Sequence, residues 1–268
     1  MFKDITLGQF FPGDSVIHKM DPRVKLVLTV LFIIMLFMAK NIYGLLVGIA
    51  FTIISYLLSR IPFSMILKSM KPIIPIVTFT AVLNVFFIRT GDLLWSWRFI
   101  KIYNDAVNTA VFMVVRIVCL IVGTSLLTYT TSPIDLTDAI ERLLSPLKRI
   151  GAPVHELAMM MTIALRFIPT LIEETDKIMN AQKARGSELD TGTFKEKVRG
   201  MVPIFIPLFV SSFRRAEELA TAMECRCYHG GEGRTRMKQM STAPRDWFAC
   251  VYVAVFWAGI IVMNMFFK

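Results

Sequence analysis

The sequence predicts an all-α integral membrane protein: about five transmembrane helices, with a cytosolic segment of long amphipathic helices inserted before the last span. Three observations carry this prediction. The chain is 55% hydrophobic with 21 phenylalanines among 268 residues, well above the apolar share of soluble domains. Five apolar segments approach or reach the length of a bilayer crossing, about 20 residues. Charge is also unevenly placed, since residues 131–246 hold 32 of the 50 charged side chains, 17 Lys/Arg and 15 Asp/Glu. Three parts follow: an N-terminal membrane domain with four spans (1–130), a cytosolic helical domain (131–246) and a C-terminal transmembrane helix (247–268).

The expected spans are Val24 to Ala39, Ile42 to Leu58, Ile73 to Ile88, Ala106 to Thr130 and Trp247 to Phe267. The first and third are short, so Lys25, Lys71 and Arg89 are expected to reach the interface, or the bilayer to thin locally. Lys/Arg counts orient the bundle, because positive residues are retained in the cytoplasm. The N-terminal tail, the second loop and the long fourth loop carry 24, against five in the remaining loops and the C-terminus. A multi-pass protein of the cell membrane is therefore expected, with a cytoplasmic N-terminus and an extracellular C-terminus. No signal-peptide pattern precedes the first apolar run near Val24.

Within residues 131–246, Thr131-Ser132-Pro133 closes the fourth span. Asp135 is expected to cap a short helix to about Leu147, with Leu136, Ile140, Leu143 and Leu144 on one face. A second helix is predicted from Val154 to Arg185, bent at Pro169 and ended by Gly186. A third runs from Phe194 to Cys227, bent or broken by Pro203 and Pro207 and stopped by Gly230 and Gly231. Both are too long for ordinary surface helices and read as too polar to span. Their apolar faces must then be buried against each other, against the first helix or against another membrane protein.

Each of these two helices ends on an arginine between small residues, Ala184-Arg185-Gly186 and Cys225-Arg226-Cys227. Taken singly, an arginine in a last helical turn is a capping residue favoured by the helix dipole. As a pair they are two guanidinium forks suited to bidentate capture of carboxylates. Met159, Met160, Met161, Met179 and Met223 give the same segment adaptable apolar side chains, either helix core or a surface for a partner. Arg116, about ten residues inside the fourth span, must face the bundle and find partners such as backbone carbonyls or Asn84.

Other chemistries are poorly supported. The net charge of +10 sits mostly beside membrane spans, and residues 131–246 contribute only +2, so no nucleic-acid partner is expected. Cys119 and Cys250 read as small buried hydrophobes. Cys225, Cys227 and His229 lack the second ligand pair of a closed zinc site, so no metal is expected. No phosphate-binding loop of the Gly-x-x-x-x-Gly-Lys type occurs, and no catalytic constellation is visible, so the chain is not expected to be an enzyme.

Four further motifs accompany the two arginine tips: His18 with Met20-Asp21-Pro22-Arg23-Val24-Lys25-Leu26; Arg166-Phe167-Ile168-Pro169-Thr170-Leu171; Tyr228; and Gly230-Gly231-Glu232-Gly233-Arg234-Thr235. With these the chain resembles, nearly end to end, the transmembrane coupling component of the energy-coupling factor vitamin and metal importers of the ATP-binding-cassette class. The resemblance implies that the long helices are coupling helices. Arg185 and Arg226, with their flanking residues, would dock on two cytosolic ATPase subunits, and the methionines would contact a small membrane-embedded substrate-binding subunit. ATP and magnesium would be bound by the partners, leaving this chain without a cofactor. The second tip departs from the Ala-Arg-Gly form in having cysteine on both sides, which preserves small size. A conventional permease with its own substrate path, or a non-transport scaffold for a cytosolic assembly, are the alternatives the residues leave open.

Overall fold

The computed structural model describes residues 10–88, 90–97, 100–186, 194–230 and 240–266. Contacts divide the chain into two compact units, one holding residues 10–139 and 240–266, the other 140–230. In the first unit α1 (Pro22–Met38), α2 (Ile42–Ser59), α3 (Phe63–Met70), α4 (Ile74–Phe87), α5 (Asn104–Thr130) and α9 (Pro244–Phe266) are helical. The second holds a short 3-10 turn (Ser145–Ile150), α7 (Val154–Ala184) and α8 (Phe194–Cys225). Helix α6 (Pro133–Leu144) runs from one into the other.

The all-α class holds, with one addition. Strands β1 (Leu93–Trp97) and β2 (Ile100–Tyr103) form an antiparallel hairpin between α4 and α5, pairing Leu93 with Tyr103 and Trp97 with Ile100. By length and composition α2, α5, α7 and α9 can each cross a membrane, and α3 with α4, bent by 59° at their junction, can supply a fifth crossing. Helix α1, at 17 residues, spans only about 25 Å. Two expectations change here. The residues expected to loop before Ile73 include α3, an amphipathic helix of about two turns started by Pro62. The first part of α7 is also less polar than expected: between Val154 and Ile172 only Glu156 and Arg166 carry charge, a stretch diluted when the whole segment is averaged.

The membrane unit is centred on aromatic packing. Phe51 of α2 stacks on Phe32 of α1 at 5.1 Å and on Tyr252 of α9 at 4.9 Å, over fully buried Met35 and Leu36. Gly123 permits the closeness of α5 to α1, since a Cβ there would lie 2.1 Å from the Phe32 ring. Cys119 is buried in this core as expected, whereas Cys250 is exposed, on the side of α9 turned from it.

Buried polar groups tie the helix ends together. Asp246, only 3% exposed, accepts the backbone N–H of Ala243 on Oδ2 at 2.7 Å, half of a capping box at the start of α9. Its Oδ1 accepts the N–H of Asp21 at 3.0 Å, so one carboxylate serves the starts of both α1 and α9. Asp21 in turn caps the Arg23 N–H at 2.9 Å, with Pro22 in the first turn. Contrary to expectation, Lys25 does not extend outward to lipid or water. It is 6% exposed, and its ammonium donates to the Thr130 carbonyl at 2.8 Å, the His18 carbonyl at 3.1 Å and Thr131 Oγ1 at 3.4 Å. Those acceptors include the Thr130 carbonyl, orphaned at the end of α5, and Asp135, Asp246 and Asp21 supply nearby negative charge.

His18 anchors the segment before α1. Its Nε2–H donates to the Phe11 carbonyl at 3.0 Å and its Nδ1 accepts from the Ser15 hydroxyl at 2.7 Å, while burial holds its pKa below the usual histidine value. At α6 the cap is Ser132 rather than Asp135. Ser132 Oγ accepts the Asp135 N–H at 3.1 Å and donates to the Asp135 carboxylate at 2.8 Å, which makes Asp135 the third residue of the helix.

Arg116 faces the bundle, as a charge at that depth requires. It donates to the Ala39 carbonyl and lies over the Phe112 ring at 4.5 Å and the Phe37 ring at 5.8 Å. Asn84 is not its partner. Among the described residues no hydrogen bond joins the two side chains; the expected backbone-carbonyl partner is that of Ala39, just past the end of α1.

Candidate partner-docking site

The two arginine tips have one backbone construction. At the end of α7 the Arg185 N–H reaches the Ala181 and Gln182 carbonyls at 3.2 and 3.1 Å, and Gly186 takes a left-handed φ of +83° while its N–H bonds the Lys183 carbonyl at 3.0 Å. At the end of α8 the Cys227 N–H bonds the Glu224 carbonyl at 2.9 Å and the Tyr228 N–H bonds the Met223 carbonyl at 3.1 Å. That pair of bonds is a Schellman ending, and Cys227 holds its left-handed position with φ +55°. Each motif arginine is therefore the residue just before a left-handed turn. Ala184, Arg185 and Gly186, and Cys225, Arg226 and Cys227, are all exposed. Neither guanidinium has a side-chain partner among the described residues.

Helices α7 and α8 pack antiparallel. Gln182 lies against Pro203, while Glu174 lies against Ser211 and Arg215. This register puts Arg226 level with the start of α7 and Arg185 level with the start of α8, so the tips lie at opposite ends of the pair, on the order of 40 Å apart along it.

Polar contacts join the two helices at their crossing. Glu174 accepts from the Ser211 hydroxyl at 2.5 Å on one oxygen and from the Arg215 guanidinium on the other. Pro207 has no N–H to give the carbonyl four residues earlier, and that carbonyl, of Pro203, accepts instead from Gln182 Nε2 at 3.4 Å. Both α7 and α8 run continuously through their prolines. His155 Nδ1 meets Glu141 Oε1 at 3.0 Å, joining α7 to α6.

The apolar stripes are only partly buried. On α8, Val202, Phe205, Phe209 and Phe213 are exposed, Phe209 at 64%. Along α7, Leu157, Met160, Met161 and Ile168 are exposed, whereas Met159, Met179 and Met223 are half-buried. The pairing register sets Met223 level with the Met159–Met161 run and Met179 toward the other end. Mutual burial covers only part of these faces: Leu165, Ile172, Ile178 and Met179 of α7 and Leu219 and Met223 of α8 are half-buried, while the phenylalanines of α8 stay exposed.

Sequence reasoning found the tips but missed the polar ties at the helix starts. Asp21 lies in a motif the sequence already marked, whereas Asp246 carries no expectation of its own; the signal lies in the Ala243-Pro244-Arg245-Asp246 run, which opens α9 much as Asp21-Pro22-Arg23 opens α1. The Gly231 to Arg236 run lies outside the described residues. Among those described, no cluster of three or more His, Cys, Asp or Glu is placed to hold a metal.

Comparison with known proteins adds the family. Residues 13–237 match the CbiQ family, described as cobalt transport protein. The energy-coupling factor transporter transmembrane protein EcfT of Clostridium kluyveri is 55% identical over 95% of this chain and 96% of its own. The EcfT proteins of Ruminiclostridium cellulolyticum, 51% identical over the full length of both chains, and of Bacillus subtilis, 49% identical over 92% of this chain and 93% of its own, are similarly close. With four to five helices able to cross a membrane and relatives of this closeness along its length, the chain belongs to the EcfT family of energy-coupling factor transporter transmembrane proteins.

Proposed function

We propose that this chain is the mechanical coupler of an importer. Two cytosolic ATP-binding-cassette ATPase subunits would dock on Arg185 and Arg226, and a small membrane-embedded subunit that binds a vitamin or trace metal ion would sit against the exposed apolar faces of α7 and α8. ATP and magnesium belong to the ATPases in this reading, and this chain carries out no catalysis. The observation that carries it is the duplication: two exposed guanidiniums, without a side-chain partner among the described residues, on the same backbone turn at opposite ends of one antiparallel pair. Two separate receivers fit such a spacing better than one.

The mechanism follows from the packing. Closing of the ATPases on nucleotide moves the tips, and the helices between them change their crossing. Packed helices switch between discrete arrangements rather than deforming smoothly, so the motion reaches the apolar faces and reorients the substrate subunit. The few polar ties at the crossing, Glu174 with Ser211 and Arg215 and Gln182 with Pro203, resist shear less than an interdigitated apolar core would.

Native mass spectrometry of the detergent-extracted assembly tests the proposal. Two ATPases and a small membrane protein are expected on the wild-type chain, and loss of both ATPases from the Arg185→Ala, Arg226→Ala double variant. Two ATPases without a small membrane subunit would favour a conventional permease, no ATPase would favour a scaffold, and undiminished ATPase binding by the double variant would overturn docking through the tips.

A further inference from the structure

Between α1, α2, α5 and α9 lies a cavity of about 350 Å³, near the lower end of the range for small-molecule sites. Its deep walls are apolar: Leu28, Phe32, Phe51, Leu127, Tyr252 and Val253. It opens where α1 and α9 begin and α5 ends, next to exposed Val16, Phe248 and Arg245. The charges at this mouth are unequally engaged. The three donors of the Lys25 ammonium are spent on the His18, Thr130 and Thr131 oxygens, whereas Arg245 has no side-chain partner among the described residues.

We propose that this cavity holds one acyl chain of an anionic phospholipid, with the headgroup phosphate on Arg245. Charge complementarity and polarity select the occupant. A soluble anion would leave the apolar walls unused, and an uncharged hydrocarbon would leave Arg245 unmatched; an amphiphile with an anionic head and a chain uses both. Arg245 opens a spanning helix and is followed by exposed Trp247, a residue type that marks the headgroup level of a bilayer. The mouth therefore lies at the depth where phospholipid phosphates are found, and the guanidinium can take one bidentately.

The full chain, purified in mild detergent and mixed with dioleoyl phosphatidylglycerol or dioleoyl phosphatidylcholine, is examined by native mass spectrometry. One phosphatidylglycerol should be retained in preference to phosphatidylcholine. Arg245→Gln, a change at an exposed side chain, should weaken retention about tenfold and erase the preference. Ala249→Phe, which places a ring in the cavity wall, should remove the retained lipid while thermal unfolding stays cooperative. Equal retention of the two lipids by the wild type, or wild-type retention of phosphatidylglycerol by Arg245→Gln, would overturn the proposal. So would a cavity that retains no lipid at all.

Discussion

Gly186 and Cys227 hold the same backbone place on two different helices: each directly follows a motif arginine, and each is left-handed, at φ +83° and +55°. The small residue after the arginine is thus a conformational requirement, since it turns the chain away and leaves the arginine at the tip. Glycine meets it without strain, whereas an L-residue there costs roughly 1–2 kcal/mol.

The first prediction concerns that strain. Cys227→Gly should stabilise the α8 ending and leave the tip in place, and Cys227→Val should weaken it, because a β-branched side chain tolerates positive φ least. Hydrogen exchange at the Tyr228 amide, the last bond of the turn, reads the change; faster exchange in the glycine variant would refute it.

The tips themselves should be essential for docking. On the proposed docking, Arg185→Ala or Arg226→Ala should each weaken ATPase binding at least about 30-fold, as expected when the acidic groups that would receive a guanidinium are left unpaired. Lysine should rescue poorly, keeping the charge but losing the planar fork. If the arginines were only helix caps, the loss would stay within about fivefold and lysine would restore it. Titration of the variants in detergent against purified ATPases separates these outcomes.

At the α7–α8 crossing, a double-mutant cycle of Glu174→Gln with Arg215→Gln should give a coupling energy of about 0.5–1 kcal/mol. The value is modest because the Arg215 side chain is 38% exposed and water screens the pair. Thermal unfolding of the four proteins measures it, and a coupling near zero would show that Glu174 is held by Ser211 alone.

Lys25 should be worth more. Lys25→Met fits the apolar part of the site but strands the Thr130 carbonyl, buried at the end of α5, at a cost of about 1–3 kcal/mol. Reversible unfolding in mixed micelles should show the loss, and Lys25→Arg should recover little of it, since a planar fork does not suit three acceptors gathered around one nitrogen.

Topology is the last prediction. A reporter fused after Lys268 should behave as extracellular and one fused at the N-terminus as cytosolic, on the Lys/Arg bias of 24 to five. A cytosolic reporter at Lys268 would remove the proposed orientation.

What could be read from the chain itself was local. Apolar length marked α2, α4, α5 and α9, helical periodicity marked α7 and α8, and Arg185 and Arg226 stood out because each lies between small residues at the end of such a pattern. A depth of ten residues inside an apolar run was enough to require a partner for Arg116. The same local reading expected Lys25 to reach outward where it is buried, took Asp135 for a cap, and named both backbone carbonyls and Asn84 for Arg116, of which the structure uses a carbonyl.

Tertiary structure decided what depends on distant residues meeting. Asp246 serves the start of α1 from 225 residues away, Lys25 closes the end of α5, and the Pro203 carbonyl freed by Pro207 is taken up by Gln182 of α7. The antiparallel register of α7 and α8, which sends the two arginines to opposite ends, is likewise invisible to periodicity. Period and composition report which face of a helix is apolar and how long it is. They carry no record of which orphaned donor or acceptor a buried side chain will find once the helices have packed, because that choice is made by the geometry of the whole assembly of helices.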